Sequence, residues 1–200
     1  MTSPSFSSTC AIIPAAGKGT RMGVDKALAD LCGRSLVSRV VADCRVAGVE
    51  DILVVRCDAA GALPDDLQGP VRTVLVPAGG EMIDSIRAGI SKLPAATECV
   101  VHFPVDYAMV GAETVALLLA QLAAGAEIVL PICDGRPGHP VGLARKVAEE
   151  ALAPDVNSLR DVIGRDRSRV RGVSVNNPWV LRDLDTQDDL RAAAAFLGCG

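Results

Sequence analysis

Three glycines and three cations crowd the turn that follows the first apolar run of this 200-residue chain. Residues 11–26 read AIIPAAGKGTRMGVDK: a β-branched stretch suited to burial runs straight into Gly17, Gly19 and Gly23, with Lys18, Arg21 and Lys26 set among and after them. Glycine removes the side chains that would hold backbone N–H groups away from an anion, and the cations neutralise charge that the backbone alone cannot. The segment therefore reads as a phosphate cradle, with contacts from Ala15, Ala16, Gly17, Lys18 and Gly19 and charge from Arg21 and Lys26. It is neither of two common alternatives. A Walker loop needs Gly-Lys-Ser/Thr after four intervening residues, and a dinucleotide fingerprint needs its third glycine three residues after the second, whereas Gly23 comes four after Gly19.

A cradle of this kind has to be held by a strand and opposed by others. Short β-branched runs at 10–14, 51–56, 71–76, 99–103, 127–132 and 170–175 alternate with helical patterns, which predicts a mostly parallel sheet wrapped by helices. One helix is predicted from a Ser35 cap to a Gly48 stop, with Leu36, Val37, Val40, Val41, Cys44 and Ala47 on its apolar face. Others are predicted at 83–93, at 113–124 and after Thr186. The Ser- and Thr-rich residues 1–9 read as a disordered tail, leaving 10–200 as a single domain.

The cradle, AAGKGTRMG followed by Lys26, resembles the signature of nucleotidyltransferases with a Rossmann-like, glycosyltransferase-A-type fold. Further segments resemble the MobA-like members of that group, in particular the branch of molybdenum-cofactor cytidylyltransferases. In CVVHFPVDYAMVGAE, residues 99–113, Asp106 takes the position of the aspartate in a Pro-Gly-Asp-Gln-Pro turn. Val105 stands here for the glycine and Tyr107-Ala108 for Gln-Pro. A carboxylate at the end of a central strand, opposite a phosphate loop, is where a magnesium ion bridging nucleotide phosphates would sit. In GGEMIDSIRAG, residues 79–89, Gly80, Ser85 and Arg87 match polar and loop positions that contact the base. In PICDGRPGHPVGL, residues 131–143, Gly135 and Gly138 would let a loop bring Arg136 and His139 toward an acceptor. LRDLDTQDDL, residues 181–190, resembles the closing motif before the last helix, with Asp185 the second metal ligand, Asp183 its competitor, and Thr186 or Asp188 a helix cap.

The resemblance implies a three-layer α/β/α fold and a Mg2+-dependent nucleotidyltransferase. Its acceptor, a phosphate-bearing small molecule, would attack the α-phosphorus of a nucleoside triphosphate and release pyrophosphate, with Arg21, Lys26 and Asp106 as the catalytic residues. CTP is the favoured nucleotide and GTP the alternative. A second reading is a nucleotide-binding subunit or sensor without turnover. Composition excludes other classes. A formal charge of −4 without a basic block, and only three Phe, one Tyr and one Trp, give nucleic acid neither an electrostatic footprint nor a stacking platform. The longest charge-free apolar stretch, 114–126, is too short to span a membrane. No signal-peptide pattern opens the sequence, so a cytoplasmic location is expected. Seven dispersed cysteines are expected to be reduced. His102 reads as a satisfied core residue, and the arginines at 165, 167, 169 and 171 as a solvated turn and strand edge.

Overall fold

A computed structural model describes residues 8–17, 25–58 and 60–199. Lys18, Gly19 and Arg21 of the cradle, and residues 1–7 of the expected tail, lie outside the described residues. In chain order the strands are β1 (Thr9–Pro14), β2 (Asp30–Leu31), β3 (Arg34–Ser35), β4 (Asp51–Cys57), β5 (Arg72–Val76), β6 (Cys99–His102), β7 (Ile128–Cys133), β8 (Arg136–Pro137), β9 (Val141–Ala144) and β10 (Val170–Ser174). The helices are α1 (Leu36–Val46), α2 (Met82–Ile90), α3 (Ala112–Ala123), α4 (Arg145–Ala148), α5 (Leu159–Arg165) and α6 (Gln187–Leu197). None of them is long and apolar enough to cross a membrane.

The main sheet runs β10-β7-β9-β6-β1-β4-β5, with β8 attached to the end of β7. β1 lies at its centre, parallel to both β4 and β6. β5 extends the parallel half, and β10 runs parallel to β7 at the other edge. Alternation along β1 divides the core. Ala11 and Ile13 face α1 and α3, while Cys10 and Ile12 face α2, α4 and α5. Because both faces are covered, the central strands read as continuous apolar runs, which is why they were visible in the sequence. The result is a mostly parallel α/β sheet of Rossmann-like type, as anticipated.

Helix starts follow local chemistry. The Ser35 hydroxyl accepts from the Ser38 amide at the head of α1. Thr186 and Asp189 form a reciprocal capping box at the head of α6, so of Thr186 and Asp188 it is Thr186 that caps the helix.

Three expectations need correction. β1 begins at Thr9, and the Ser8 carbonyl accepts from the amides of Glu98 and Cys99, so the ordered sheet reaches into the stretch read as tail. β9 was not anticipated: it follows Pro140, has only four residues, and carries Gly142 at its middle. It runs antiparallel between β6 and β7, which an alternating βα reading cannot foresee. Gly142 is there because α3 packs closely on it; a Cβ would stand 3.1 Å from Leu122 Cδ1. Finally, Cys32 and Cys199 form a disulfide, with Cα atoms 5.8 Å apart, where all seven thiols were expected reduced. The pair is 167 residues apart in sequence and meets only because α6 ends beside the β2–β3 ribbon.

Candidate active site

The carboxyl ends of β1, β4 and β6 lie on one edge of the sheet, and of the charged residues singled out above Lys26 follows β1 and Asp106 follows β6. β1 delivers Ala15, Ala16 and Gly17. The Ala15 amide donates to the Val55 carbonyl (2.8 Å) and so belongs to the sheet, not to a ligand. Ala15, Ala16 and Gly17 line a cleft of about 280 Å³ together with Lys26, Gly80, Ser85, Asp106 and Asp185. Gly80 and Ser85 reach it from the head of α2, where the Glu81–Asp84 capping box fixes the first turn.

Arg87, expected beside the base, does not join them. Its guanidinium donates to the carbonyls of Ala151, Ala153 and Val156 at 3.0, 2.9 and 2.7 Å, tying α2 to the segment between α4 and α5. Arg87 is a structural clamp. Sequence spacing could not show this, because the three carbonyls lie more than sixty residues away.

Lys26 opens a short 3-10 turn, Lys26–Leu28, capped by Asp25, whose carboxylate accepts from the Ala27 amide (3.0 Å). Asp25 is in turn paired with the guanidinium of Arg56, which is only 1% exposed near the end of β4. A buried guanidinium needs a counter-ion, and Asp25 provides it while fixing the turn that presents Lys26. This support was missed, although an arginine inside the apolar run ILVVRC was the available signal. The Lys26 ammonium lies 3.4 Å from Asp106 Oδ2 and also pairs with Asp185 Oδ1. Asp106 sits in the 3-10 turn Val105–Tyr107, separated from the end of β6 by two residues, with Val105 buried where the family pattern has glycine. The Leu184 amide donates to the Asp106 carbonyl (2.9 Å), which brings the distant 183–185 segment to the end of β6. Asp189 steadies the same segment, accepting from the amides of Asp185 and Thr186.

Burial raises the Asp106 pKa above the ordinary carboxylate value, and the Lys26 charge opposes that shift. Asp106 Oδ1 is buried and accepts no hydrogen bond among the described residues. Oxygens of Asp106, Asp183 and Asp185 lie within 4.8 Å of one another, Asp183 being the exposed member. An unpartnered carboxylate oxygen beside further acidic groups is a donor set that suits a hard divalent cation. Of the two competing aspartates, Asp185 is the one in contact with Lys26.

Arg136 and His139 lie elsewhere, on a second cleft of about 780 Å³ that begins at Tyr107, one residue beyond Asp106. The His139 ring packs on Tyr107 with centroids 4.3 Å apart, and its amide donates to the Val180 carbonyl. Burial first, and the Arg160 charge second, hold the His139 pKa down at about 4. His102, 6.1 Å away between centroids, is held by burial at about 3. Both imidazoles are therefore neutral near pH 7. His102 is indeed a core residue but not a satisfied one: neither ring nitrogen has a hydrogen-bond partner among the described residues.

With this geometry in place, known proteins give a consistent answer. A family model described as the MobA-like NTP transferase domain matches residues 11–170. A 2-C-methyl-D-erythritol 4-phosphate cytidylyltransferase of Nocardia farcinica is 32% identical, with 93% of this chain and 96% of that protein covered. The enzyme of the same name from Rhodococcus jostii is also 32% identical, but the match spans 61% of this chain and only 54% of the relative. Among solved structures, a homologue of Mycobacterium tuberculosis Rv0371c from Mycobacterium sp. strain JC1 superposes with a TM-score of 0.80 at 25% identity, covering 96% of this chain and 98% of that one. Relatives named for an erythritol phosphate do not support a place in molybdenum-cofactor biosynthesis, which the resemblance of the Gly-Arg-Pro-Gly-His element to that branch had suggested.

Proposed function

The chain belongs to the MobA-like NTP transferase family, and from that premise we propose that it transfers a nucleoside monophosphate, CMP from CTP, to a phosphate-bearing small molecule. The observation that carries this reading is the ammonium of Lys26 held by Asp106 and Asp185 in the same cleft that the 15–17 turn and the head of α2 line. An acceptor phosphate oxygen forms a bond to the α-phosphorus while the bond from that phosphorus to the bridging oxygen of pyrophosphate breaks. No protein nucleophile takes part.

Ala16, Gly17, Lys18 and Gly19 receive the triphosphate, and Gly80 and Ser85 face the nucleoside. Lys26, with Arg21, stabilises negative charge that builds on the phosphoryl oxygens, a preorganised electrostatic contribution that needs little reorganisation. Arg136 and His139 receive the acceptor. Asp106 and Asp185 would hold Mg2+, with Asp183 near enough to assist. Once bound, the ion supplies the charge neutralisation that lets a triphosphate enter an acidic site. Neutral His139 offers the acceptor a hydrogen bond without adding charge, and the Tyr107 ring packed on it holds the imidazole in place.

Calorimetric titration of the four ribonucleoside triphosphates with Mg2+, followed by pyrophosphate release over a panel of phosphate monoesters, tests the assignment. CTP is expected to bind at least tenfold more tightly than GTP or ATP, and some monoester to release pyrophosphate only when CTP is present. A preference for GTP would overturn the choice of base. Binding of no triphosphate would overturn the activity.

A further inference from the structure

The second cleft is larger than the first and lined in a different way. Its interior is hydrocarbon, with Leu130, Ile132, Val141, Ile163 and Val170 contributing from β7, β9, α5 and β10. Its remaining charge is of one sign, from the guanidinium groups of Arg136, Arg160 and Arg167. The neighbouring arginines show what an arginine does when its role is structural: Arg165 pairs with Glu150 and Asp155, and Arg169 with Glu150. Arg136, Arg160 and Arg167 have no side-chain hydrogen bond or ion pair among the described residues. The arginine run read from the sequence as one solvated edge thus divides, with Arg167 on the cleft and Arg165 and Arg169 held to acidic residues.

Resting on the nucleotidyl-transfer reading above, we propose that the acceptor is an amphiphilic anion, a phosphate ester carried on an apolar body, and that Arg160 and Arg167 are specificity-determining residues for it. Two physical arguments lead there. A small, hydroxyl-rich phosphate would set its hydroxyls against methyl groups that cannot return the hydrogen bonds lost from water. An apolar body instead gains by leaving water, in proportion to the area it buries. Unpaired guanidinium groups suit the other end of such a molecule, since their planar forks bind phosphate oxygens in pairs. Arg160 lines this cleft together with Tyr107 and His139, the residues at its end nearest Asp106, where the attacking phosphate has to lie.

The test uses 1-naphthyl phosphate as the amphiphilic probe, with glycerol 3-phosphate and 1-naphthol as its polar and uncharged halves. Each is titrated by calorimetry into the wild-type chain and the double variant Arg160→Ala/Arg167→Ala, and CTP with Mg2+ is titrated separately into both. Both arginines are exposed, and an unchanged thermal transition confirms that the variant is folded. The naphthyl phosphate is expected to bind the wild type at least tenfold more tightly than either half. The double variant is expected to weaken it tenfold or more while CTP affinity stays within twofold. Equal affinity for glycerol 3-phosphate, no binding of the naphthyl phosphate, or an affinity unaltered in the variant would overturn the proposal, even if CTP binds. The expected naphthyl phosphate pattern with no triphosphate binding would uphold the anion-selective cleft and overturn nucleotidyl transfer.

Discussion

Lys26 has two roles that its neighbours define. It offsets the repulsion between Asp106 and Asp185, and in the proposed reaction it would meet a phosphate entering between them. Replacing it with alanine removes at least one charge-assisted hydrogen bond to the ligand, worth about 1.5–3 kcal/mol, so CTP affinity is expected to fall by roughly ten- to a hundredfold in calorimetry. Asp106→Asn tests the other side of the contact. CTP binding to the wild type is expected to strengthen as Mg2+ is added; in Asp106→Asn that dependence is expected to vanish, whereas Asp183→Asn, altering an exposed carboxylate, retains most of it. Full Mg2+ dependence in Asp106→Asn would move the metal site elsewhere. Asp106 was legible in the sequence for a physical reason: an ionised side chain four residues beyond a buried strand marks where the chain leaves the sheet. Arg87 and His102 were not, because an arginine's partners and an imidazole's lack of them are set by distant segments.

Elements, by contrast, were legible where one period ran unbroken. The six β-branched runs became β1, β4, β5, β6, β7 and β10, each with ends shifted by a residue or so at most, and the capped pattern from Ser35 became α1. The stretch 131–144 was opaque because glycine and proline interrupt it, and it holds both β8 and β9. Its two glycines also differ from one another. Gly135 is needed for its positive φ of 70°, whereas Gly138 is needed for proximity: a Cβ there would lie 2.2 Å from the Val180 carbonyl oxygen. The contact is backbone, so no side chain can turn away to relieve it. Gly138→Ala is expected to cost about 1–3 kcal/mol by overpacking and to lower the thermal midpoint by several degrees. Gly164→Ala, near the end of α5 with open space around a new Cβ, is the internal control. It is expected to raise the midpoint by about 2 °C, as a helical glycine-to-alanine change should. Scanning calorimetry of the two variants reads both signs, and a neutral Gly138→Ala would show that the loop before β9 gives way easily.

Across the whole molecule, the sheet places one cleft on each side of the Asp106–Tyr107 turn, and the chain reaches that arrangement only after its last forty residues return to it. Leu184 closes onto Asp106 and α6 packs into the α1–α3 side of the core. The return is sealed covalently by Cys32 and Cys199. The seal also gives the unfolded chain a different shape. A chain bridged between these positions carries a large closed loop, and under denaturing conditions it sweeps out a smaller hydrodynamic volume than the same chain opened. In a non-reducing denaturing gel the oxidised protein should therefore run ahead of the reduced one. Thiol titration in denaturant should count five reactive groups before reduction and seven after, the five being Cys10, Cys44, Cys57, Cys99 and Cys133. Identical migration together with seven thiols at the outset would mean that the loop is open in the protein as isolated.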